Sequence, residues 1–76
     1  MLNFGVSVKL KDFEPFFFLG WFKVKDERDV KKAASIACKR YGEDYKEKYN
    51  TEFLQRMQTV EIYERKENKI ILKIDL

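Results

Sequence analysis

Rings and cations interleave along one short stretch of this chain, and they are the side chains best suited to chemistry with a partner. Residues 16–25 read Phe-Phe-Phe-Leu-Gly-Trp-Phe-Lys-Val-Lys. In an extended strand successive side chains alternate between faces, so Phe17, Leu19, Trp21, Lys23 and Lys25 share one side. Strands drawn through residues 2–10, 58–65 and 69–76 add Asn3, Ser7, Lys9 and Lys11, then Thr59, Glu61, Tyr63 and Arg65, then Ile71, Lys73 and Asp75, to that side. Lys9, Lys11, Lys23, Lys25, Arg65 and Lys73 against Glu61 and Asp75 leave this face at +4, more than the +3 of the whole chain. Large rings next to cations on a solvated face fit an interface with another protein, anchored by aromatic and Arg side chains. They also fit single-stranded nucleic acid, with bases on the rings and phosphates on the lysines. Two further readings are a homodimer sealed through these residues and simple burial under the N-terminal segment or a second helix. The protein interface is the preferred one, with Phe17, Trp21 and Tyr63 as anchors, Leu19 among the contact residues, and Lys9, Lys23, Lys25 and Arg65 around them.

The rest of the composition removes most enzyme chemistries. There is no histidine, which excludes His-assisted nucleophiles and His-containing zinc sites. A single cysteine, Cys38, cannot make an internal disulfide or an all-cysteine metal site, and reads as a small core residue. The three glycines are far apart, so no phosphate-cradling loop is present. The expectation is a non-catalytic protein with no metal and no cofactor. The longest apolar run, from Phe16 to Phe22, is far short of the roughly 18 residues of a spanning helix. With no secretory signal visible either, a cytoplasmic protein without membrane contact is expected, in the host cytoplasm if phage-encoded.

Seventy-six residues, 45% hydrophobic and 38% charged, form one small domain over 1–76. Leu2, Phe4, Val6, Val8 and Leu10 alternate with small or polar residues, marking a half-buried strand. Lys11 to Pro15 is a connection to the second strand over 16–25. Asp26 caps a helix whose apolar stripe is Val30, Ala33, Ala34, Ala37, Cys38 and Tyr41, with Gly42 as its C-terminal cap. Tyr45, Tyr49, Phe53 and Met57 recur every four residues and suggest a second helix within 43–57, broken near Asn50-Thr51. Two strands follow, joined at Lys66-Glu67-Asn68. The expected class is α+β: a four-stranded antiparallel sheet in ββααββ order, with one or two helices packed on one face. Arg28, Lys32 and Lys39 form a secondary basic stripe on the first helix, fitted to phosphate or an acidic surface, though a solvated helix face accounts for it as well.

The stretch Glu52-Phe53-Leu54-Gln55-Arg56-Met57-Gln58-Thr59-Val60-Glu61-Ile62 resembles the end of the small phage-encoded anti-CRISPR proteins that block type II-A Cas9. The likeness spans residues 28–62, with identity within 52–62. It implies a mobile-element protein that inhibits a host nuclease or ribonucleoprotein complex by occupying its surface. That family is acidic and mimics DNA. Here the corresponding acidic positions, Glu43, Asp44, Glu47 and Glu52, are offset by Lys46 and Lys48, the net charge has the opposite sign, and the last hairpin has no counterpart. The resemblance therefore implies steric block rather than acidic mimicry, and leaves the partner within the host open.

Overall fold

The N-terminal segment of clean alternation is a central strand with a neighbour on each side. In the computed structural model, which describes residues 2–76, the elements are β1 (Leu2–Leu10), β2 (Phe13–Val24), α1 (Val30–Tyr49), β3 (Met57–Glu64) and β4 (Lys69–Asp75). The sheet order is β2-β1-β3-β4, and each neighbouring pair is antiparallel. Helix α1 packs against one face of the sheet, over β1 and β2. Phe4, Val6, Val8 and Leu10 of β1 are buried beneath it, with Val60 and Ile62 of β3 and Val30, Ala34 and Cys38 of α1. Among the described residues no helix is long and apolar enough to cross a membrane.

One helix stands where one or two were expected in ββααββ order. Gly42 does not end it. Residue 42 is buried mid-helix against Leu54, whose Cγ lies 2.7 Å from where a Cβ would stand. The chain runs on to Asn50, which takes the left-handed conformation (φ 51°, ψ 38°) and donates its amide to the Lys46 carbonyl at 2.7 Å. The order is thus ββαββ. Asp26 does cap, but a short 3-10 turn, Glu27–Asp29, that leads into α1; its carboxylate accepts the Arg28 amide at 2.8 Å.

The tyrosines at four-residue spacing form a ladder along the helix flank. Tyr41 and Tyr45 are 6.2 Å apart between ring centroids, and Tyr45 and Tyr49 are 4.8 Å apart. The ladder meets Phe53, which follows the helix and belongs to no second one. A 3-10 turn, Leu54–Arg56, then leads into β3. The Phe53 ring lies 4.9 Å from Tyr41, 5.2 Å from Tyr45 and 5.9 Å from Phe17. Arg56 ties this turn to the β1–β2 connection by two hydrogen bonds to one Asp12 carboxylate oxygen, at 3.1 and 3.2 Å.

Phe53 is fully buried among three aromatic rings. Phe53→Ala is expected to cost about 3–5 kcal/mol, read as a lower urea midpoint with an unchanged slope.

Candidate functional site

The face of the sheet away from α1 has no covering layer, and its composition follows from where the strands keep or lose alternation. β1 keeps it: Asn3, Gly5, Ser7 and Lys9 all lie on this open face. β2 does not. Val6 pairs with Gly20 and Ser7 with Phe18, leaving Leu19 as an extra residue in the ladder. Such a bulge shifts the parity of everything beyond it. Gly20 supplies the backbone freedom, with φ at 127°.

Trp21 and Lys23 therefore lie on the open face by register, opposite Gly5 and Asn3. Phe17 and Leu19 do not, which corrects the strict alternation assumed for β2. Both pack against the core on the helix side, Phe17 edge-on to Phe53 and stacked on Phe13 at 5.0 Å. Phe18 takes the place expected of Phe17. A second irregularity, where Glu14 to Phe16 pass opposite Lys9, accommodates Pro15, which has no amide to give the ladder. A bulge in β4 has the same effect. Ile70 pairs with Tyr63 and is exposed on the open face, while Ile71 packs against the core.

The site is built on Gly5. Its bare backbone lets two rings settle on the sheet: a Cβ at this position would stand 2.7 Å from Trp21 Cζ3 and 2.9 Å from Phe18 Cε1. Trp21 and Phe18 pack edge to face, 5.1 Å between centroids, yet remain 44% and 51% exposed. Arg65, just past β3, places its guanidinium over the Trp21 ring at 5.0 Å, a cation–π contact. Its amide donates to the Asn3 carbonyl at 3.0 Å, which anchors the start of the β3–β4 turn to β1.

Beside the rings lies a polar strip along β3. The Tyr63 hydroxyl donates to the Glu61 carboxylate at 3.0 Å, and the Thr59 hydroxyl donates to Asp75 at 3.1 Å. Ser7, Thr59 and Glu61 are buried within this strip. Burial, and then the neighbouring Glu61 carboxylate, push the Tyr63 phenol above its usual value. Lys9 donates to Gln58 Oε1 and to the Leu10 carbonyl, each at 3.1 Å, so its ammonium is tethered at the rim.

Of the expected anchors, Trp21 and Tyr63 share the open face with Lys9, Lys23 and Arg65. Lys25 lies exposed beyond the end of β2. The stripe of Arg28, Lys32 and Lys39 belongs to the helical layer, on the opposite side of the sheet, and Arg28 is paired to Asp26 at 3.0 Å. Sequence reasoning missed Phe18 and Ile70. An isolated glycine inside a strand pattern is the usual mark of a bulge, so Gly20 carried the signal for Phe18; nothing comparable marked Ile71. Among the described residues no three His, Cys, Asp or Glu side chains converge as a metal ion would require. Within 52–62, Phe53, Met57, Val60 and Ile62 belong to the core, Thr59 and Glu61 are buried in the open-face strip, and Glu52 is paired to Lys46 at 2.6 Å. No protein family, curated protein or solved structure matches this chain.

Gly5→Ala puts a methyl into the space of two rings, so it is expected to cost about 1–3 kcal/mol and to shift the emission of the single tryptophan, with far-UV dichroism retained. The folded state raises the Tyr63 pKa and so favours its neutral form. That contribution is fully present below the unfolded value near 10.0 and is lost as pH rises through the higher folded value. Tyr63→Phe is therefore expected to flatten the alkaline limb of the stability curve, measured by urea denaturation on both sides of that value.

Proposed function

We propose that this chain is a non-catalytic binding protein that docks on a partner protein through the Trp21, Phe18 and Tyr63 face and acts by steric block. The supporting observation is the ring pair seated on Gly5: two large aromatics, about half exposed and held by packing on a rigid sheet. Rings fixed before binding lose little freedom on association, which is why aromatic anchors dominate protein interfaces. Arg65 above Trp21 and Tyr63 beside it complete the composition of a binding hot spot. Lys9, Lys23, Arg65 and Lys73 around the rings favour a partner surface with an apolar pocket and an acidic rim.

The resemblance over residues 52–62 points to the class of partner, a host nuclease or ribonucleoprotein nuclease complex, and to a phage or mobile-element origin. It bears on kinship rather than on contacts: within that segment Phe53, Met57, Val60 and Ile62 build the core, while Thr59 and Glu61 belong to the polar strip of the open face.

Single-stranded nucleic acid is the second reading, favoured by the same cations beside exposed rings. It ranks lower because Trp21 already lies against Gly5 and carries Arg65 over its ring, so a base can stack there only after Arg65 moves.

Immobilised wild-type protein and Trp21→Ala, exposed to extract of the native host, discriminate the two. Retention of nuclease-complex subunits by the wild type and their loss by Trp21→Ala, with unchanged dichroism, supports the proposal. Equal retention by both contradicts it. Binding of the wild type to single-stranded oligonucleotides that weakens steeply with salt supports the second reading instead.

A further inference from the structure

We propose that β4 is the edge through which a second copy of this chain joins the sheet, antiparallel, with Ile74 on the two-fold axis. The sheet has two edges. β2 is interrupted at Leu19 and again around Pro15, devices that stop edge-to-edge pairing. β4 is regular from Leu72 to Asp75, where it pairs residue by residue with β3.

The backbone decides which residues can join. Leu76 donates its amide to the Gln58 carbonyl at 2.8 Å, so it points at β3. Peptide groups alternate along an antiparallel strand, so Ile74 and Leu72 also point inward. The amides and carbonyls of Lys73 and Asp75 are then aimed at the free edge. With Ile74 opposite Ile74, Lys73 of each copy meets Asp75 of the other, and both outward residues exchange their two backbone hydrogen bonds.

The side chains agree with this register. Lys73 and Asp75 lie on the open face, and neither makes an ion pair among the described residues. Lys73 is opposite Glu61 within its own chain. Adding Asp75 of the second copy gives a row of alternating sign, Glu61, Lys73, Asp75. On the helix side Leu72 meets Leu76, which is 67% exposed in the single chain. The other registers fail. Centring on Lys73 or on Asp75 sets like charges face to face. Centring on Leu72 sets Ile70 of the open face against Ile74 of the helix face, because the bulge at Ile71 intervenes.

The uncovered helix side adds a reason to pair. α1 sits over β1 and β2, which leaves an apolar groove of about 440 Å³ between the helix and β4, lined by Ala34, Cys38, Met57, Val60, Ile74 and Leu76. A second copy at β4 extends the sheet along the mouth of this groove. The two-fold axis is perpendicular to the sheet, so both aromatic faces end on the same side.

Charge exchange tests the register. Lys73→Asp sets a carboxylate against Asp75 of the other copy, Asp75→Lys sets ammonium against ammonium, and the double exchange restores opposite signs. Sedimentation equilibrium of the full chain from micromolar to millimolar concentration is expected to show the wild type approaching twice the 9.2 kDa chain mass. Each single variant, folded by dichroism, is expected to weaken association at least about tenfold, and the double exchange to recover it. The proposal is overturned by a wild type that stays monomeric throughout, by single variants that associate like the wild type, or by a folded double exchange no better than the singles. A dimer that Trp21→Ala dissolves and the charge variants leave intact overturns it too, and assigns the interface to the aromatic face.

Discussion

One extra residue in β2 determines what each side of this sheet is for. Leu19 has no partner in β1, and the strand bends at Gly20 to absorb it. Above the bulge, Phe22 and Val24 face the helix while Trp21 faces out. Below it, Phe17 faces the helix while Phe18 faces out. The aromatic residues between Phe16 and Phe22 are thereby divided, and each side receives rings that touch. Phe17 closes on Phe53 and the tyrosine flank of α1. Phe18 closes on Trp21 over Gly5. Without the extra residue, Phe17 would face solvent, Phe53 would lose a ring from its surroundings, and Phe18 would meet the helical layer.

The elements that obey a single period were legible in the amino-acid sequence. β1 alternates without interruption, so Phe4, Val6, Val8 and Leu10 could be read as buried, although Leu2 at its start is exposed. The apolar positions of α1 recur at helical spacing, and Val30, Ala34 and Cys38 are buried as that spacing requires. The sheet, its antiparallel character and a helix on one face follow from such patterns. What escaped were departures from period. A glycine was visible at 20, but a pattern of alternation cannot say which neighbour becomes the extra residue. Gly42 had the chemistry of a helix terminator, yet the helix continues through it, and its missing side chain leaves room for Leu54. Asn50, the residue that does end the helix, is also a type that tolerates the left-handed conformation. The candidate face was half legible for the same reason: Trp21, Tyr63, Lys9, Lys23 and Arg65 lie where unbroken alternation puts them, and Phe17 and Leu19 do not.

Electrostatics and packing on the open face work at different ranges. Cations at the rim of such a face would act before contact, by raising encounter with any acidic surface, and salt would weaken them. The rings would act at contact, through area removed from water, a term that ionic screening does not weaken. Glu61 joins the polar strip by accepting a hydrogen bond from the Tyr63 hydroxyl at 3.0 Å. Pairing at β4 would set two such faces side by side on one continuous sheet, so that one partner with a repeated surface could be held twice, with the gain that linked sites give.

The division of rings at Leu19 is the claim on which the candidate face depends, and nuclear Overhauser contacts measure it directly. Cross-peaks from the Trp21 ring to the Gly5 α-protons and to Phe18, together with cross-peaks from the Phe17 ring to Phe53, are the predicted result. Contacts from Phe17 to Ser7 or Trp21, with Phe18 against Phe53, would contradict it.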